Sequence, residues 1–377
     1  VPGRVLHIVI DIRHIADFGI GTYIRNLVQA LGRIDSTNRY TLITRPGEPV
    51  PEGLGENFSR AEYTRADTKL LHNISFPAFL RKFNADLYHI PLNSVAWWMP
   101  HPYVVTIHDM SSLLFPNVQD IRHTWQEERY RRGALRATRV ITVSNSTRRD
   151  IEQVLHVPAE RIRTIYSAPD PAFNCAYDPA QDRQTLDRYS VHYPFVLYAG
   201  TIRKQKNIPR LVEAFAVLRA ELENHPEFSD LHLIIIGDEL SKNPSVRRAV
   251  AQARIESAVR FLGFVPTETL RVFYRAAVLF AFPSLYEGFG LAPLEAMACG
   301  TPVVAADIPA LVEAVGNAAA LVSPDNVFDI ARGLREVLLD ATRRREMTQA
   351  GLQHSARFQW ERTAREVLSI YQEIPKN

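Results

Sequence analysis

Two cysteines in 377 residues, Cys175 and Cys299, exclude a disulfide framework, and their spacing matches no metal-binding pair. Cys299 closes an Ala-Met-Ala-Cys helical stretch and reads as a small buried hydrophobe; so sparse a set fits a reducing compartment. Long apolar runs are missing too. None approaches the roughly 18 residues that cross a bilayer, and the opening VPGRVLHIVID reaches Asp11 too early for a secretory signal. A formal net charge of +3 is too small to point to nucleic acid. No Asp-x-Asp, His-Glu-x-x-His or Cys-x-x-Cys occurs anywhere, so no metal is expected, and cationic side chains must hold any diphosphate. The expectation is a cytoplasmic protein, 46% hydrophobic and 23% charged like ordinary globular chains. Its contact with an anionic membrane, on the inner face, is peripheral at most.

What is present is strand–turn–helix alternation, enough for two domains with separate cores. Leu6–Ile10 is a short strand. A loop and the turn Gly19-Ile20-Gly21-Thr22 follow, then a helical face of Ile24, Leu27, Val28 and Leu31. Arg39–Thr44, Asp86–Ile90 and Tyr103–Ile107 are further strands. The last ends in His108-Asp109, at the carboxyl end where open α/β sheets bind ligands; His89 is placed in the same way on the strand before. Trp97 and Trp98 fall on a loop, open to a sugar or membrane acceptor or else plugging the core. Asn117–Thr138 is an arginine-rich helix (Arg122, Arg129, Arg131, Arg132, Arg136), either a solvated face interleaved with Glu127 and Glu128 or a surface for anionic lipid. Val140–Val143, a capped helix Thr147–Leu155 and Ile162–Ile165 complete the first half. Prolines 169, 171 and 179 then break regular structure and mark a linker.

The second half restarts with Phe195–Tyr198, Gly200-Thr201 and the basic run Arg203-Lys204-Gln205-Lys206 before a helix Ile208–Leu222. Cations at a glycine turn after a strand are placed to hold a diphosphate. Leu231–Ile236, running into Gly237-Asp238-Glu239, and Val259–Val265, which includes Phe264, are the next strands. Val278–Phe282 then leads into SLYEGFGLAPLEAMACG, residues 284–300. Glu287 and Glu295 flank Gly288-Phe289-Gly290 there, and a helix begins at Leu291 with Pro293 in its first turn. Unpaired N–H groups and the helix dipole favour an anion at such a turn.

Glu287 and Glu295 with the glycines between them resemble the E-x(7)-E motif of glycosyltransferase family 4, retaining nucleotide-sugar enzymes of the GT-B fold. GIGTYIRNLVQAL, VVTIHDMSSLLFP, ITVSNSTRRDI and YAGTIRKQKNIPRLVEAF are similar to further segments of that family, in the same order. The resemblance implies an α/β GT-B architecture, two Rossmann-like domains facing a central cleft. Residues 1–170 would form the acceptor side, 171–190 the linker and 191–358 the nucleotide-sugar-binding domain. The last helix, within 359–377, would pack back on the first domain. It implies that His108, Glu287, Lys206 and Arg203 carry catalysis. Gly19, Gly21, Gly200, Thr201, Phe264, Gly288, Phe289, Gly290, Leu291 and Glu295 would bind the donor, with Glu295 on the ribose. Asp109, Trp97 and Trp98 are the acceptor candidates. The arginine that the family often carries after the glycine is Thr201 here, and Arg203 is the candidate to replace it.

The implied activity is retaining, metal-independent transfer of a hexose, GDP-mannose favoured, to a glycan or lipid-linked glycan in surface polysaccharide synthesis. The nearest likeness is to bacterial mannosyltransferase-type members. A UDP- or ADP-sugar donor, a sugar-nucleotide epimerase, a pyridoxal-phosphate phosphorylase and an inactive nucleotide-sugar-binding subunit are the alternatives.

Overall fold

The computed structural model describes residues 4–17, 19–65, 71–93, 95–115, 122–174, 178–237 and 243–374, with no side chains for 122–127. Cys175, Asp238, Glu239, the start of the arginine helix at Asn117, and the side chains of Arg122 and Glu127 lie outside them. The chain divides into two units, Val1–Ala168 with Gln359–Asn377, and Pro169–Phe358.

Among the described residues unit 1 holds seven strands: β1 (His7–Asp11), β2 (Arg39–Thr44), β3 (Phe58–Glu62), β4 (Leu87–Ile90), β5 (Tyr103–Ile107), β6 (Arg139–Thr142) and β7 (Ile162–Thr164). Their order is β3-β2-β1-β4-β5-β6-β7, and every pair is parallel. Parallel strands are covered on both faces, which is why β4 and β5 are buried throughout. The edge strand β3 is mostly exposed and lacks an apolar pattern, so it escaped the sequence reading. Strand order reverses between β1 and β4. Helix Ile20–Ile34 starts directly after Gly19. Gly21 packs so tightly on the preceding loop that a Cβ would stand 2.3 Å from the Ile15 carbonyl oxygen. The final helix, Trp360–Glu373, sets Trp360 edge-on to Tyr23 at 5.7 Å.

Unit 2 holds β8 (Phe195–Ala199), β9 (His232–Ile236), β10 (Val259–Gly263), β11 (Leu279–Phe282), β12 (Val303–Ala306) and β13 (Ala320–Val322). The order is β10-β9-β8-β11-β12-β13, again all parallel, and it reverses between β8 and β11.

The stretch 171–190, expected as a linker, is folded into unit 2. Pro171–Asn174 is a 3-10 turn and Pro179–Arg188 a helix. Pro179 opens that helix, where a missing N–H does no harm, and Asp178 caps it by accepting from the N–H groups of Ala180 and Gln181. Asp182 anchors it through a forked ion pair with Arg275, 2.8 Å from Nε. Other boundaries shift slightly. The arginine helix runs Arg122–Arg136, and the helix after β6 is α-helical over Asn145–Asp150 and π-wound over Ile151–Leu155.

Candidate active site

In an open parallel sheet, the two connections leaving a reversal of strand order run to opposite sides and leave a crevice at the strands' carboxyl ends. In unit 2 those connections follow β8 and β11. After β8 come Gly200, Thr201 and a 3-10 turn, Lys204–Lys206, entered from Arg203. After β11 come Ser284 to Gly290 and helix Leu291–Ala298. Lys206 and Glu287 meet across this crevice: Nζ donates to both carboxylate oxygens, at 2.6 and 2.8 Å. The pair is largely buried, side chains 17% and 11% exposed. Lys206 Nζ also lies 5.4 Å from the Phe282 ring centroid. The sequence reading put Lys206 on phosphate and Glu287 on sugar; here each is the other's partner.

Backbone and one amide hold the two connections in register. Leu285 N–H donates to the Gln205 carbonyl at 2.7 Å. Asn207, 4% exposed, turns the chain into the next helix with a left-handed φ of 60°. Its Nδ2 donates to the carbonyls of Pro283 (2.9 Å) and Pro324 (2.7 Å), so one side chain joins the loops after β8, β11 and β13. The sequence reading passed over Asn207; its only signal was an asparagine, a left-handed former, immediately before Ile-Pro. Asn207→Ala is expected to destabilise unit 2 by about 2–3 kcal/mol, from two unmet carbonyls and a strained φ. Asn207→Gly relieves the strain and should recover about 1 kcal/mol of it. Denaturant melts of both variants check the order; equal losses would remove the conformational part of this account.

The other donor candidates of unit 2 line the same carboxyl edge. Gly288 and Phe289 are buried, the Phe289 ring edge-on to Phe358 at 5.8 Å. Gly290 caps the helix at φ 135°, where a Cβ would stand 2.9 Å from Leu311 Cδ2, so the turn admits no side chain. Leu291 opens the helix. One turn on, Glu295 accepts from the Tyr274 hydroxyl at 3.4 Å. Burial first, and then that carboxylate, push the Tyr274 phenol well up from its ordinary value. Phe264, directly after β10, is 68% exposed. Arg203 is exposed, and no side-chain partner for it occurs among the described residues.

In unit 1, His108 leaves β5 at the carboxyl edge. Its N–H donates to Asn93 Oδ1 at 2.8 Å, and its Nε2 lies 3.1 Å from the Pro91 carbonyl, both just after β4. A carbonyl only accepts, so Nε2 carries the proton and Nδ1 keeps its lone pair. Burial lowers the His108 pKa, against the opposing pull of the Pro91 carbonyl and Asp109, which favours the neutral ring. The Tyr23 ring stands edge-on at 4.8 Å.

The remaining candidates of unit 1 are more locally engaged. Asp109 Oδ1 accepts from Ser111 N–H and Oγ at 2.8 and 2.6 Å, fixing the turn after β5. Gly19 is exposed and Gly21 buried in the glycine loop. Trp98 is 48% exposed, and Trp97 lies under the Arg132 guanidinium of the arginine helix at 5.4 Å. Arg131, Arg132 and Arg136 are exposed, Arg132 pairing with Glu128. His89 is corrected: it is fully buried, both ring nitrogens are bonded, and burial drives its pKa to about 3, so it meets no ligand directly. Among the described residues no three His, Cys, Asp or Glu side chains gather as metal ligands do, and no helix is long and apolar enough to cross a membrane.

Two Rossmann-like units, one presenting a cation–carboxylate pair at its reversal and the other a histidine at a strand end, define the GT-B glycosyltransferase class. Solved structures agree on the fold. Sucrose-phosphate synthase from Thermosynechococcus elongatus matches with a TM-score of 0.77 at 22% identity, covering 98% of this chain and 99% of that one. HepE from Anabaena, solved with UDP and glucose, matches with a TM-score of 0.76 at 17% identity over 98% and 100%. Two family descriptions match in sequence, Glycosyltransferase Family 4 over residues 19–173 and Glycosyl transferases group 1 over 187–354. The O-antigen chain mannosyltransferase B of Escherichia coli is 32% identical over 318 residues, covering 80% of this chain and 78% of that protein. The chain therefore belongs to this glycosyltransferase family.

Proposed function

We propose that the protein is a retaining mannosyltransferase that moves mannose from GDP-mannose to a hydroxyl of a growing surface polysaccharide, without a metal. The observation that carries the transferred sugar and the product class is the 32% identity to an O-antigen chain mannosyltransferase over most of both chains. In this reading charge develops on the departing diphosphate as the sugar–phosphate bond breaks. Lys206, with Arg203 and the N–H groups at the start of helix Leu291–Ala298, takes that charge up. Glu287 faces the transferred sugar while steering the lysine. Glu295 accepts from the ribose. His108 offers the Nδ1 lone pair to a sugar hydroxyl, and the acceptor attacks from the leaving-group side, which retains the anomeric configuration. With cations in these places no metal is required, and the arginine helix is assigned peripheral contact with an anionic membrane at the cytoplasmic face.

The test is a melt of the full chain with GDP, UDP, ADP and their common sugars, each with and without EDTA. Ligand at about 100 times its Kd adds about 2.7 kcal/mol. A shift confined to GDP and GDP-mannose and indifferent to EDTA is expected. A shift with UDP-glucose alone, the nucleotide sugar found in the HepE complex, overturns the donor assignment. A shift or a turnover lost to EDTA and restored by a divalent cation overturns metal independence.

A further inference from the structure

We propose that Tyr371 and Thr106 are positioning residues for His108, joined to it by a buried relay that the final helix completes. The proposal rests on the sugar-facing role given above to His108.

Thr106 and His108, two positions apart, project to one face of the β5 line. Four polar side chains are buried there: Tyr371, His89, Thr106 and Tyr23 are each 0 to 1% exposed. The Tyr371 hydroxyl lies 2.5 Å from His89 Nδ1, and His89 Nε2 lies 2.8 Å from Thr106 Oγ1. Thr106 Oγ1 in turn lies 3.4 Å from the Tyr23 hydroxyl. Direction follows from donor counting. The Tyr371 O–H has no other acceptor among the described residues, so it donates to His89 Nδ1. The neutral ring then carries its proton on Nε2 and donates to Thr106, whose hydroxyl shares one further hydrogen bond with that of Tyr23.

Tyr23 is the packing wall behind His108. Its ring stands edge-on to His108 at 4.8 Å, and Trp360 stands edge-on to it at 5.7 Å. The final helix thus supplies Trp360 behind that wall and Tyr371 at the far end of the relay, although both matched family stretches end by residue 354. Since Nε2 of His108 is tied to the Pro91 carbonyl, the direction in which Nδ1 faces depends on how firmly Tyr23 is held. Loss of the Tyr371 donor leaves His89 free to take the other tautomer and Thr106 free to turn, and the wall loosens.

The test uses the full chain, following GDP release from GDP-mannose with a mannose oligosaccharide as acceptor, for Tyr371→Phe, Thr106→Val, His108→Ala and the doubles with His108→Ala. ¹⁵N NMR of the imidazoles reads the His89 tautomer, and melts report folding. Tyr371→Phe should lower kcat about tenfold with the donor KM unchanged, and should mix the His89 tautomers. Added to His108→Ala it should remove nothing more. Thr106→Val should lower kcat alike, and decides the matter if Tyr371→Phe does not fold. If His108→Ala turns over normally, the role of His108 falls, and this proposal with it. If His108→Ala is slow but Tyr371→Phe multiplies that loss in full, or by itself leaves kcat and tautomer untouched, the positioning proposal alone falls.

Discussion

Lys206→Met is expected to slow sugar transfer about 10²–10³-fold, the usual loss when one preorganised group facing developing charge is removed. The same change is expected to destabilise unit 2, because Glu287, 11% exposed, is left without the cation that now touches both its oxygens at 2.6 and 2.8 Å. An orphaned buried charge costs about 3 kcal/mol at the low end of the range, appropriate here since the pair keeps some solvent. The two effects separate in the double variant. Lys206→Met with Glu287→Gln removes the orphan and should restore most of the stability while restoring no activity. Glu287→Gln alone keeps the lysine, and should lower turnover while sparing nucleotide binding. Melts and steady-state rates on the three proteins decide. A double variant as unstable as Lys206→Met would show that the lysine stem, packed near Phe282, matters more than its charge.

The pairing also shows where sequence reasoning reached and where it stopped. Glu287 and Glu295 were legible because both lie in one strand–turn–helix, at a spacing that local geometry alone makes meaningful. That Lys206, 81 positions earlier, would touch Glu287 depends on β8 and β11 being neighbours, which sheet order decides and no local pattern records. Asn207 stayed hidden because its partners are the main-chain carbonyls of Pro283 and Pro324, which any residues could supply. Pro179 was counted as a breaker, although its place after a capping Asp178 is also how helices begin. β3, the exposed edge FSRAE, carries no alternation to detect. His89 and His108 look equivalent as histidines near strand ends, yet one lies inside β4 and the other one residue past β5, and that single position separates a buried relay from an open site.

The last of the hidden residues is Arg13, in the loop after β1, which no motif in the sequence singles out. In the structure it is 2% exposed and forks onto Asp11, 1% exposed, with Nε 2.8 Å from Oδ1 and Nη2 2.6 Å from Oδ2. Its guanidinium lies 3.9 Å from the Phe76 ring centroid and 5.2 Å from that of Tyr63. The pair closes the carboxyl end of β1, beside the reversal of strand order in unit 1, and roots the loop on which Gly21 packs. Arg13→Met should destabilise unit 1 by about 3–5 kcal/mol, because Asp11 keeps a charge with no counter-ion, a fall in melting temperature of roughly 10 °C or more. Arg13→Lys should recover only part of this, since an ammonium neither forks onto the carboxylate nor stacks on the two rings. Adding Asp11→Asn to Arg13→Met should recover more, because the methionine still fills the space against Phe76 and no buried charge remains. Transfer activity should fall with Arg13→Met as the glycine loop loosens, while GDP still protects unit 2 in the melt. If the single and double variants melt together, contact with the rings rather than charge pairing is what Arg13 contributes, and the electrostatic account of the β1 end is wrong.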